Sequence, residues 1–138
     1  MGRSPVRITA DTNILVRAVV RDDPAQAAVA SDLMRRAELV AVPLAVLCEF
    51  VWVLRRGYAR STGEIATAIR HLEDSAVVRV DRSAVEAGLA VLDAGGDFAD
   101  GVIAFDGRRL GGSVFCSFDR EAVELIVASG GEAHLLEA

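Results

Sequence analysis

The chain predicts an α/β fold built on a mainly parallel sheet with helices covering both faces. Three observations carry this. Short apolar runs at residues 6–10, 39–43, 76–81 and 113–116 alternate with longer segments of helical spacing. Strands that alternate with helices imply a parallel, doubly covered sheet with right-handed crossovers. Connections are short and no repeat or low-complexity segment interrupts the 138 residues, so residues 1–138 read as one domain.

Each element has a local cause. Val6-Arg7-Ile8-Thr9-Ala10 alternates apolar and polar residues and predicts the first strand; residues 14–20 then form a helix. Asp22-Asp23-Pro24 is a turn with a helix start, and an Ala-rich helix follows over 25–38. Residues 39–43 are a short buried strand. The helix over 44–57 has the strongest amphipathic pattern, with an apolar stripe through Leu44, Leu47, Cys48, Val51, Trp52 and Leu54, and Arg55-Arg56-Gly57 suits its end. Ser61-Thr62-Gly63-Glu64 has the form of a capping box for a helix through Leu72, on which His71 is a surface or boundary residue. Residues 76–81 are the third strand, and a helix over 83–94 ends at Gly95-Gly96. Another helix runs from Phe98 to about Leu110 and stops at Gly111-Gly112. The fourth strand covers 113–116, a helix follows over 120–128, and residues 133–136 make a short last strand.

Composition removes several classes of function. The apolar share of 52% and charged share of 25% are those of a globular chain. No apolar run nears the roughly 20 residues that span a bilayer, and the N-terminus lacks a secretory h-region, so no membrane association and a cytoplasmic location are expected. Cys48 and Cys116 lie in apolar segments and read as buried, reduced thiols. With only His71 and His134 beside them, a zinc site is not expected. The formal charge of -5 is the wrong sign for gripping nucleic acid by overall charge, although a bound cation reverses the local sign at an acidic site. All 15 basic residues are Arg, which closes Schiff-base, P-loop-lysine and kinase-lysine chemistry.

The acids are placed more informatively. If strands one and four share a parallel sheet, Asp11 and Asp119 stand at its carboxyl edge, where open α/β sheets bind ligands. Glu49 lies in the middle of an apolar helix and leans back toward that edge, because helical side chains point toward the N-terminus. Asp97 and Asp100, three residues apart, open a helix of their own. Each has a plain alternative: Asp11 and Asp97 as N-caps, Asp100 as a first-turn acid suited to the helix dipole, Glu49 as a solvent-facing side chain. Like charges about 4 Å apart repel by about 4 kcal/mol at an effective dielectric of about 20. A cluster of these acids therefore calls for a cation, and oxygen-only donors select Mg²⁺ or Mn²⁺. The matching chemistry is in-line hydrolysis of a phosphodiester.

Four segments also carry a family resemblance: Asp11-Thr12-Asn13-Ile14-Leu15, Pro43-Leu44-Ala45-Val46-Leu47-Cys48-Glu49, Asp97-Phe98-Ala99-Asp100-Gly101-Val102-Ile103-Ala104 and Ser117-Phe118-Asp119. In this order the chain resembles PIN-domain proteins, and most of all the VapC-type toxins of bacterial toxin–antitoxin pairs. The resemblance implies a three-layer α/β/α sandwich and a metal-dependent endoribonuclease. It puts the family acids on Asp11, Glu49, Asp100 and Asp119, with Asp97 an auxiliary metal ligand and Asn13 and Ser117 the accompanying polar positions. It further implies an RNA substrate, a homodimer and a cognate antitoxin covering the site. The RNA-contacting arginines stay open among Arg17, Arg21, Arg55, Arg56, Arg60, Arg108, Arg109 and Arg120.

Two other functions fit parts of the pattern. A phosphatase with Asp11 as nucleophile lacks its usual partner acid, since position 13 is Asn, and lacks any lysine. A non-catalytic module would use the acids only as caps and act through a protein partner, for which the apolar helix near Trp52 and Tyr58 offers a surface.

Overall fold

A computed structural model describes residues 6–138; residues 1–5, read above for the lack of a secretory leader, lie outside the described residues. The chain divides into two compact units, one ending at Asp81 and the other beginning at Arg82.

In the first unit β1 (Arg7–Thr9), β2 (Leu39–Ala41) and β3 (Val78–Arg79) pair in parallel in the order β1-β2-β3. Ile8 stands opposite Val40, and Val40 opposite Val78. The crossovers are helical, as parallel pairing requires: α1 (Thr12–Val20) and α2 (Pro24–Arg36) join β1 to β2. Then α3 (Leu44–Trp52), a π-helical turn (Val53–Gly57) and α4 (Thr62–Asp74) join β2 to β3. Phe50, Leu15, Leu47, Leu54, Ile65 and Ile69 are its largest shielded side chains. The capping box at Ser61 forms in full: the Glu64 N–H donates to Ser61 Oγ at 3.1 Å, and the Ser61 N–H donates to Glu64 Oε1 at 3.0 Å.

The second unit holds α5 (Arg82–Asp93), α6 (Phe98–Arg109), β4 (Phe115–Ser117), α7 (Arg120–Ala128) and β5 (Ala133–Leu135). β4 and β5 pair in parallel with α7 between them. α5 lies along α6, and Val91, Ala104 and Ile126 join α5, α6 and α7 in one apolar cluster. The helix stops expected at Gly95-Gly96 and Gly111-Gly112 hold: Gly95 and Gly111 have φ of 93° and 105°, a conformation open to residues without a Cβ, and Gly130 after α7 has 95°.

The α/β class and the parallel pairing hold, and the structure corrects details. The four strands expected in one sheet form two ladders, with β4 paired to β5. Alternation marks a run as a strand but not the partner it bonds, which is decided by packing. The third strand is two residues long, and the helix expected over 44–57 turns π-helical from Val53. Cys116, expected to be buried, is exposed. Alternation along β4 turns Phe115 and Ser117 to the sheltered side and Cys116 to the open one. Cys48 is half-buried, and neither thiol is in a disulfide.

Candidate active site

Three of the five candidate acids stand at helix starts, and all three cap. Asp11, extended at φ -80° and ψ 163°, accepts the Thr12 N–H on Oδ1 at 2.8 Å. Asp97 accepts the Ala99 N–H on Oδ1 at 3.1 Å. Asp119 accepts the Ala122 N–H on Oδ1 at 3.3 Å. A carboxylate suits an N-cap because it satisfies a backbone N–H left over by the helix and faces the positive end of the dipole. Each of these bonds engages only Oδ1, so capping does not exhaust the acceptor capacity of a carboxylate.

Asp100 is different. It lies in the first turn of α6, half-buried, and its carboxyl is pushed up to about 6 from an ordinary 3.8. Burial is the largest cause; repulsion from Asp97, then Asp119, then Glu121 adds to it. The helix is held in that place by packing without side-chain bulk. A Cβ on Gly101 would run into the backbone oxygen of Ala87 and approach the Gly88 Cα to 2.8 Å. A Cβ on Gly88 would come within 2.6 Å of the Phe98 ring. Phe98 is fully buried, and with Gly101 it brings the N-terminal turn of α6 hard against α5. The Asp97-Phe98-Ala99-Asp100-Gly101 segment thus contains two acids and the two residues that seat them.

On the third segment, Ser117 closes β4 and its Oγ accepts the Asp119 N–H at 3.0 Å. Ser117 therefore orients the backbone that carries Asp119. Glu121 was not singled out from the sequence. It lies two residues beyond Asp119 in the first turn of α7, where an acid is ordinary for the dipole, and only its effect on Asp100 sets it apart. The Asp119-Arg120-Glu121 spacing is the signal that was available for it.

The first unit contributes Asp11, Asn13 and Glu49. Asn13 is exposed in the first turn of α1 and borders a cavity of about 540 Å³ with Ile14, Arg17 and Gln26. Glu49 is exposed on α3, as the solvent-facing alternative has it. Thr12, beside Asp11, carries a buried hydroxyl that has no hydrogen-bond partner. An orphaned hydroxyl costs about 1–3 kcal/mol, which an added water or ligand removes.

These residues fit a hard dication in donor chemistry and in charge: the donors are all carboxylate oxygens, and Asp100 carries the repulsion that a cation relieves. Among the described residues, however, no group of three or more His, Cys, Asp and Glu side chains is arranged to hold a metal ion. Asp97, Asp100, Asp119 and Glu121 are electrostatic neighbours, whereas Asp11 and Glu49 stand in the other unit. No helix among the described residues is long and apolar enough to cross a membrane.

A family model described as the PIN domain matches residues 8–126, a stretch that runs through both units and includes every candidate acid. No curated protein matches the chain.

Proposed function

Because the chain belongs to the PIN-domain family, whose members are generally nucleases that use divalent metal ions, we propose that it is a metal-dependent endoribonuclease and the toxin of a toxin–antitoxin pair. In this reading residues 1–138 act as one cytoplasmic domain, as a homodimer, with an antitoxin covering the site. Asp11, Asp100 and Asp119 would hold Mg²⁺ or Mn²⁺, Glu49 would complete the site directly or through water, and Asp97 would assist. When bound, the ion supplies charge neutralisation at the scissile phosphate and activation of water. The chain's own part is positional. Ser117 orients Asp119, Asp97 starts α6 in the right place, and the close contact of Gly101 with α5 sets Asp100 among the other acids.

The observation that carries this reading is Asp100. A half-buried carboxylate placed among three others, with a raised pKa, is costly in a metal-free protein and suits one that binds a dication. A second reading, a non-catalytic module acting through a protein partner, draws on Asp11, Asp97 and Asp119 all serving as caps.

Cleavage of single-stranded RNA separates the two. The nuclease should cut with Mg²⁺ or Mn²⁺ and stop in EDTA. Asp11→Asn and Asp100→Asn should each cost more than the about 10–100-fold typical of losing an outer-shell partner of a metal site. A bound ion should also raise the melting temperature by mass action. Cutting that survives EDTA and both substitutions defeats the proposal; no cutting and no melting shift in millimolar metal favours the binding module.

A further inference from the structure

Resting on the ribonuclease reading, we infer that Phe118 is a stacking platform that holds a base of single-stranded RNA beside the scissile phosphate. Phe118 is the residue between Ser117 and Asp119, and it is 71% exposed. The other four phenylalanines are placed differently. Phe50 and Phe98 are fully buried, Phe115 is half-buried against the Val91, Ala104 and Ile126 cluster, and Phe105 lies under the guanidinium groups of Arg108 and Arg109, each 5.8 Å from its centroid. A single exposed Leu or Val is ordinary on a protein surface. An aromatic ring offered to water in the bond next to a candidate catalytic acid is a more specific arrangement.

The backbone around the ring is held on both sides. Ser117 pairs opposite Leu135 in the β4–β5 ladder, and its carbonyl accepts the Leu136 N–H at 2.8 Å. The Asp119 N–H is bound to Ser117 Oγ, and Asp119 in turn caps α7. The ring therefore projects from a fixed turn, so little ordering is needed when a base lies on it.

Charge explains why such a platform suits this chain. A net charge of -5 and the absence of lysine leave little general attraction for a polyanion, and the acids around Asp100 repel it. Stacking of a base on an aromatic ring does not depend on net charge and tolerates any base, because every base has a π-face. Arg120, next to Asp119, lies 3.7 Å from Glu137 with both side chains largely exposed (69% and 75%), a weak pairing that a phosphate can replace.

The test is RNA binding in EDTA, so that affinity is read without cleavage. The probe is a short single-stranded RNA carrying a fluorescent adenine analogue, whose emission is quenched on stacking. Phe118→Ala should bind roughly ten-fold more weakly and lose the quenching; Phe118→Trp should restore both. Both variants should melt with the wild type, since the ring is exposed. Unchanged affinity and quenching in Phe118→Ala overturn the inference. A lowered melting temperature in that variant also overturns it, because the ring would then serve the fold. If the wild type cuts RNA with metal while Phe118→Ala binds like wild type, only this inference falls. If the wild type neither binds nor cuts RNA, the ribonuclease reading falls as well.

Discussion

Asp11 and Asp119 occupy equivalent places, each directly at the start of a helix that follows a strand, and each caps that helix through Oδ1. The two units nevertheless use the motif differently. In the second unit Asp119 also acts on a carboxylate of another helix, because α6 packs into α5 through Gly101 and Phe98 and delivers Asp100 to it. In the first unit the other candidate acid, Glu49, lies on the exposed side of α3, and the helix buries Leu47, Phe50 and Val51 instead. The same local signal, an acid at a helix start, is thus a cap in both places, and close helix packing adds a charge cluster in one of them.

Three measurements sharpen or break this contrast. The largest effect is expected for Phe98→Ala. Removing a fully buried ring costs about 3–5 kcal/mol, readable as a shift of the urea midpoint, and it loosens the seat of Asp100. If the cost stays under about 1 kcal/mol, α6 is not held by this contact.

The next effect concerns pH. The Asp100 pKa is higher in the folded protein, about 6, than the ordinary 3.8. The folded state therefore favours the protonated form, and the group's contribution is best below about pH 4 and is lost as pH rises through about 6. Asn does not titrate. Metal-free Asp100→Asn should match the wild type near pH 4 and exceed it above pH 6. The shift sets a ceiling of about 3 kcal/mol, and solvent around a half-buried carboxylate reduces this to about 1–2 kcal/mol. The same substitution is expected to abolish cleavage, so a gain in stability with a loss of activity is the signature of a site held under electrostatic strain. Thermal melts of both proteins across this range check it, and parallel curves would remove the charge cluster from the account.

The smallest effect is in the first unit. Ser61→Ala removes one side of the capping box and should cost about 1 kcal/mol, measured by chemical denaturation. Glu64 is held below its ordinary pKa chiefly by the Ser61 backbone N–H and then by its hydroxyl. Its contribution is therefore present at neutral pH and is lost as pH falls through the carboxylate range, opposite in sign to Asp100.

Much of this was legible in the chain. The capping box at Ser61, the caps at Asp11 and Asp97 and the glycine stops follow from residue types at fixed offsets, and the structure has them all. The resemblance gives Ser117 as a polar position accompanying the acids, and its Oγ accepts the Asp119 N–H. Glu121 was missed because a first-turn acid looks like any other, and the exposure of Cys116 was missed because an apolar run does not say which of its faces is covered.

Local chemistry along the chain was enough to set where helices begin and end, which runs are strands, and that the fold is α/β with parallel pairing, because capping, turn conformation and side-chain periodicity act over a few residues. Which strands pair, how closely α6 approaches α5, and hence which carboxylates repel one another, depended on contacts between segments far apart in the chain. Gly101 shows the dividing line: as a letter it is a weak spot in a helix, and only against the backbone of Ala87 does it become the reason that Asp100 lies where it does.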